Sequence, residues 1–215
     1  RTGILDRNPI HRDMIYAARV AKLAFICNVV INAKHEVVGA FAGDCEQAHL
    51  AGTAFLKDLC LCEKVPADIV FSSNNGYPLD QNIYQAVKGM TAAEATLPEG
   101  GVIIMVAGCR DGHGGQGFYD NVANVKDPKE FLEQAIHTPR LETVPEQWTS
   151  QILARILVHH KVILVSDLVD PKLVSGLHME LASTIDEALE KAFALKGRNA
   201  KVVVIPDGLG VVVEG

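Results

Sequence analysis

Ala67-Asp68-Ile69-Val70-Phe71 runs into Ser72-Ser73-Asn74-Asn75-Gly76-Tyr77-Pro78-Leu79-Asp80-Gln81-Asn82-Ile83-Tyr84-Gln85-Ala86-Val87-Lys88-Gly89-Met90. The first run, apolar and β-branched, has the pattern of a buried strand, and a polar, glycine-containing turn then delivers the chain into a helical pattern. In an open α/β sheet, the passage from the carboxyl end of a strand into a helix is where a ligand crevice forms. The segment is therefore read both as the first strand of the main sheet and as the place where function should be visible.

Downstream the same pattern repeats. Strands are expected at 69–71, 102–107, 162–165 and 202–205, and helices at 79–95, 128–137, 146–159 and 185–195. Apolar strands without alternation, each followed by a helix, predict an α/β fold of Rossmann-like type: a mostly parallel sheet with helices on both faces. Upstream, Asn8-Pro9 offers an N-cap and a proline at the first helical position, and Met14, Ala17, Ala18 and Ala21 recur at helical spacing. Residues 25–33 and 37–42 flank Lys34-His35-Glu36 as a hairpin, and Asp44 caps a second helix. Residues 1–62 are read as an N-terminal α/β appendage and 63–215 as the doubly wound domain. The chain starts at Arg1 rather than Met, so the appendage is read as the continuation of a truncated N-terminal region.

A 215-residue chain with 48% hydrophobic residues can bury a substantial core. Its net charge of -6 argues against nucleic acid or an anionic membrane as partner, because no broad face would offset phosphate repulsion. A bound anion must meet locally placed cations. Apolar runs such as 102–108 are strand-sized, too short to span a bilayer, and no signal-peptide pattern is seen. Cys27, Cys45, Cys60, Cys62 and Cys109 are odd in number and lack CxxC spacing, which points to reduced thiols and a cytoplasmic location.

On a helix after Pro78, at about 100° per residue, Ile83, Ala86, Val87 and Met90 share one face, and Gln81, Gln85 and Lys88 fall within about 60° of one another opposite. Two amides and an ammonium suit a carboxylate or phosphate; the plain alternative is a solvated face. The loop Cys109-Arg110-Asp111-Gly112-His113-Gly114-Gly115-Gln116-Gly117 adds four glycines, permitting close backbone approach to a ligand, and charge at Arg110, Asp111 and His113. It fits neither a Walker loop nor GxGxxG, and a solvated turn is the alternative. In a parallel sheet it would neighbour the Asn74 loop. Trp148 lies early in a helix, where core packing is the ordinary role. Asp111, Asp120 and Glu146 have no spacing that makes a hydrolytic set, a hydrolase built on Asp111 and His113 lacks a nucleophile, and no metal site is expected.

The run from Asn75 to Gly89 resembles the C-terminal portion of the nickel-dependent lactate racemase family. The resemblance extends to Gly101-Val102-Ile103-Ile104-Met105-Val106-Ala107, to Asp111-Gly112-His113-Gly114, to Trp148 and back to Asn8-Pro9-Ile10-His11-Arg12-Asp13, covering essentially all of the chain. It implies racemisation of a 2-hydroxy acid by reversible hydride transfer to a nickel-pincer nucleotide, tethered to a lysine of a separate N-terminal domain. Gln85 and Lys88 match the family's substrate-side glutamine and lysine, and Trp148 its pocket tryptophan. Lys88 and Gln85 are thus the expected catalytic pair, Gln85, Lys88 and Trp148 the substrate contacts, and Asn75, Tyr77, Asp80, Asp111 and His113 further pocket candidates. The family's proton-transferring and nickel-ligating histidines and its tethering lysine precede Asn8, so none of His11, His35 or His49 takes those roles. Arg110 stands where the family pattern has a small polar residue. The expected partners are a small 2-hydroxy acid and the missing N-terminal domain, and the chain alone is expected to be inactive. A non-catalytic α/β module binding a small carboxylate or phosphate is the competing reading.

Overall fold

The computed structural model describes residues 3–214; Arg1, on which the truncation reading rests, lies outside them. The chain divides into two compact units, Arg1–Cys62 and Glu63–Gly215. In the first, α1 (Pro9–Val20) starts where Asn8 accepts the backbone N–H groups of Ile10 and His11. Strands β1 (Ile26–Ile31) and β2 (Val37–Gly43) form an antiparallel hairpin, and α2 (Cys45–Cys60) is capped by Asp44, which accepts from the Glu46 and Gln47 amides. Within this unit only Cys45 and Ala48 are buried among the described residues, and Ile10, Met14, Tyr16, Val20 and Leu59 are exposed. The short strand β3 (Leu61–Glu63) falls at the junction of the units.

The second unit contains β4 (Ile69–Ser73), α3 (Ile83–Thr96), β5 (Val102–Val106), α4 (Gln116–Ala123), α5 (Pro128–His137), α6 (Gln147–His159), β6 (Lys161–Val165), α7 (Pro171–Gly176), β7 (Glu180–Ala182), α8 (Ile185–Lys196), β8 (Val202–Ile205) and β9 (Val212–Glu214). Five strands pair in the order β7-β6-β5-β4-β8, every pairing parallel. Alternate side chains divide between the faces. Val70, Ile103, Met105, Val162 and Leu164 pack with Val87 and Met90 of α3 and Leu153 and Ile156 of α6. Ile69, Val102, Ile104, Ile163 and Val165 pack with Ala188 and Ala192 of α8. Both faces are covered, which is why these strands read as unbroken apolar runs.

The chain winds outward from β4 through β5 and β6 to β7, then returns to place β8 on the other side of β4. The carboxyl ends of β4 and β8 therefore border the reversal of strand order, the position at which open α/β sheets bind ligands. The loops are joined there: Asn74 and Asp207 form a β-bridge, and the Gly208 amide donates to the Ser73 carbonyl at 2.8 Å.

One boundary differs from expectation with a consequence. Helix α3 begins at Ile83 rather than Leu79, because residues 76–80 close a turn in which the Leu79 amide donates to the Gly76 carbonyl, and Asn82 supplies the cap. Gln81 thus precedes the helix and leaves the group it was expected to form with Gln85 and Lys88. The elements α4, α7 and β7 were not anticipated; each is eight residues or fewer, too short for a period to show.

Helices α3 and α6 are tied by a bidentate ion pair, Arg155 to Glu94 at 2.7 Å for each bond, with the Glu94 side chain only 6% exposed. Removing one member leaves the other charge without its partner, whereas replacing both avoids that cost. Glu94→Ala should therefore lower stability by about 2 kcal/mol in urea unfolding, the figure discounted for the partly exposed arginine, and Glu94→Leu with Arg155→Met should recover most of it.

Candidate functional site

The site is built from two loops at the carboxyl ends of neighbouring parallel strands. Five hydrogen bonds lock the loop after β4 and the start of α3 to the loop after β5. Gly108 N–H donates to Asp80 Oδ2 at 2.8 Å, Cys109 N–H to the Asp80 carbonyl at 2.9 Å and Asp111 N–H to the Gln81 carbonyl at 2.9 Å. Ile83 N–H donates to the Gly112 carbonyl at 3.0 Å and Tyr84 N–H to the His113 carbonyl at 3.1 Å. With Asn82 taking the amides of Gln85 and Ala86, all four opening N–H groups of α3 have acceptors. This helix N-terminus is spoken for, so an anion here must be held by side chains rather than by backbone amides.

Asn74 supports the arrangement from beneath. Its side chain, wholly buried, donates to the Leu79 carbonyl at 2.7 Å and the Gln85 carbonyl at 2.6 Å, while its Oδ1 has no hydrogen-bond partner. A Cβ at Gly89 would run into that Oδ1, so glycine is required for the close approach of α3.

On α3, Lys88 Nζ donates to Gln85 Oε1 at 2.7 Å, both side chains being half-buried. The bond orients the Gln85 amide with its NH2 turned from the lysine, and two ammonium N–H groups remain to Lys88. The pair is therefore a cationic and an amide donor side by side, suited to a carboxylate. Lys88 Nζ also stands 6.0 Å from the centroid of the Tyr84 ring. Tyr84 in turn meets Trp148 edge-on at 5.9 Å and Phe118 at 5.5 Å. Trp148 is 50% exposed, an apolar wall left open to a ligand rather than buried in the core.

The remaining expected positions have other occupations. His113 Nδ1 accepts the Gly115 amide at 3.0 Å and its ring stacks on Tyr119 at 5.2 Å, which leaves the proton on Nε2. Its backbone adjoins the Gln85 turn through Tyr84, so His113 lies beside the cluster. Asp80 ties the two loops together; Asn75 sits exposed in a left-handed turn at φ 60°; Tyr77 carries the Arg110 guanidinium 5.0 Å above its ring; Asp111 is exposed. The glycines read as room for a ligand instead admit the protein's own groups: a Cβ at Gly114 would strike Asn82, and one at Gly115 the Glu146 carboxylate. Asp120 accepts from Gln116, and Glu146 Oε2 from the Phe118 amide at 2.7 Å, so neither is held for hydrolysis. A cleft of about 600 Å³ between α4, α5 and the start of α6 is lined by none of Gln85, Lys88 and Trp148.

The sequence reading gave Tyr84 no role, named Asn74 only by its loop and weighed Glu146 only as a hydrolytic carboxylate. The Tyr84–Lys88 spacing of four along a helix was a readable signal; the other two act through the fold and left none. The groups around Lys88 do not fit a nickel site. Among the described residues no three of His, Cys, Asp and Glu converge to hold a metal ion, and the ammonium, amide and aromatic groups around Lys88 are not nickel donors. No helix among the described residues is long and apolar enough to cross a membrane.

Residues 62–213 match the model of the lactate racemase C-terminal domain family. The chain is 67% identical over 214 residues to the lactate racemase of Lactiplantibacillus plantarum, covering all of this chain and 50% of that protein. It is 53% identical over 213 residues to the lactate racemase of Thermoanaerobacterium thermosaccharolyticum, again covering 50% of that protein. Among solved structures it superimposes on the lactate racemase apoprotein of the latter organism with a TM-score of 0.97 at 52% identity, over 100% of this chain and 52% of that one. A Thermotoga maritima protein matches with a TM-score of 0.64 at 13% identity, a likeness of fold. The chain spans about half the length of the curated relatives it matches.

Two outcomes test this geometry. Asn74→Ala, which strips the Leu79 and Gln85 carbonyls of their buried donor, should cost about 2 kcal/mol in urea unfolding. Burial, with Asp80 nearby, pushes the Cys109 thiol up to about 12, so at pH 8 it stays protonated. Thiol labelling of the native protein followed by mass mapping should modify exposed Cys27 and Cys62 and spare Cys109 until unfolding.

Proposed function

The chain belongs to the lactate racemase C-terminal domain family, and from that premise we propose that it forms the substrate-side wall of a 2-hydroxy-acid racemase, with lactate the first substrate to test. The observation that carries the reading is the Lys88–Gln85 pair, bonded at 2.7 Å and linked through Tyr84 to a half-exposed Trp148. Racemisation inverts one carbon, so the rest of the substrate must stay fixed while the configuration changes. A carboxylate held by the Lys88 ammonium and the Gln85 amide is such an anchor, and the Trp148 face bounds the apolar side of a short hydroxy acid.

The pair is suited to that work because it is preorganised. Gln85 and Lys88 lie three residues apart on one helix whose start is fully capped and whose Gln85 carbonyl is held by Asn74. Little ordering is left for the substrate to impose. In the reading proposed, hydride transfer is the work of a nickel-pincer nucleotide borne by the remainder of the polypeptide, together with the groups that move the hydroxyl proton. This chain binds and orients, and alone it is inactive. The exposed apolar side chains of its first unit agree with a piece that functions within a longer protein.

In the full-length protein, Lys88→Ala should reduce kcat/KM for lactate racemisation about a hundredfold, followed by chiral chromatography, because it leaves the substrate carboxylate without its cation. Lys88→Arg should retain part of the activity. Undiminished racemisation by Lys88→Ala would remove the anchor from the proposal.

A further inference from the structure

We infer that Glu146 is a positioning residue that sets where Trp148 stands against the Lys88–Gln85 pair; the inference rests on the substrate-wall reading above. Glu146 is the residue before α6 and lies in the left-handed region at φ 61°, a conformation that side chains other than glycine adopt sparingly. Its main chain begins the helix carrying Trp148: the Glu146 carbonyl accepts the amides of Thr149 at 3.1 Å and Ser150 at 3.2 Å. Its side chain turns the other way, into the start of α4, where Oε2 accepts the Phe118 amide at 2.7 Å. A Cβ at Gly115 would collide with this carboxylate, and one at Gly117 would stand 3.2 Å from Oε2 and from the Pro145 carbonyl. Asn121 of α4 adds bonds to the Pro145 carbonyl and to Ser150 Oγ.

The glycines at 115 and 117 therefore make room for the protein's own carboxylate, which one amide holds. The circuit closes through the aromatic rings. Phe118, whose amide Glu146 holds, packs on Tyr84; Tyr84 packs on Trp148 and faces Lys88. One carboxylate thus joins the loop bearing His113, the helix start bearing Trp148 and the ring beneath Lys88. Without it, the α6 start keeps only the bonds made through Asn121 and Ser150 to α4, and Trp148 gains freedom relative to the pair.

The consequence is a change in substrate binding more than in turnover. In the full-length racemase, Glu146→Ala and Gly115→Ala, which removes or displaces the carboxylate from opposite sides, should each raise the KM for lactate about fivefold or more with kcat within about twofold. Glu146→Gln, which keeps an acceptor for the Phe118 amide, should stay within about twofold of the parent in both constants. In the 215-residue chain, acrylamide quenching of Trp148, its only tryptophan, should rise in the first two variants and not in the third. Unchanged KM and quenching in both Glu146→Ala and Gly115→Ala, while Lys88→Ala and Trp148→Ala raise KM, would overturn the positioning role alone. A KM unmoved by Lys88→Ala and Trp148→Ala as well would overturn the reading beneath it. A kcat that falls with the folded fraction and is not rescued by Glu146→Gln would reduce Glu146 to a structural part.

Discussion

The four N–H groups that open α3 must find acceptors in a half-buried place, and the way they find them organises everything around them. Two come from the carbonyls of Gly112 and His113, and two from Asn82. Parallel pairing of β4 with β5 makes this economical, because it sets the two loops side by side with their backbone groups unpaired by any strand. Once the loops satisfy one another, the helix start is immobilised and its amides are withdrawn from ligand binding. In the reading proposed, recognition of an anion then falls to side chains, those of Gln85 in the first turn and Lys88 in the next.

This division matters in a protein of net charge -6. A long-range field of that sign repels a carboxylate, so attraction must come from a cation at contact distance, where a half-buried position weakens screening by water and salt. Lys88 meets the requirement, and its bond to Gln85 keeps the flexible ammonium from wandering. The aromatic surface of Tyr84 and Trp148 beside it lowers the local polarity without closing the site. In the reading proposed, shape comes from rings, charge from one lysine, and direction from an amide.

The α/β class, the parallel sheet and most element positions were legible because they rest on patterns that are local in sequence: unbroken apolar strands, caps at Asn8 and Asp44, prolines opening α1 and α5. The start of α3 was misread because Pro78 and Leu79 look helical in isolation, while a turn through Gly76 and the Asn82 cap outcompete them. The short α4 hides in a glycine-rich run whose glycines make room for Asn82 and Glu146, both distant in sequence. Asn74 and Glu146 illustrate the same limit. Each is a common polar residue whose meaning lies in partners 11 and 28 positions away, and no spacing rule reaches that far.

What results is a wall rather than a chamber. Lys88, Gln85 and Trp148 face outward from secondary elements fixed on their inner side by Asn74, Glu94–Arg155 and Glu146, and the cleft between α4, α5 and the start of α6 belongs to other residues. An enzyme that needed only to bind could enclose its ligand within one domain. A reaction that inverts a centre needs the opposite faces of that centre approached by different groups while one end is held still. In the reading proposed, a rigid, half-open surface carrying the anchor is the form that the holding half of such a site takes; its precision resides in the interior bonds that keep three outward-facing side chains in register.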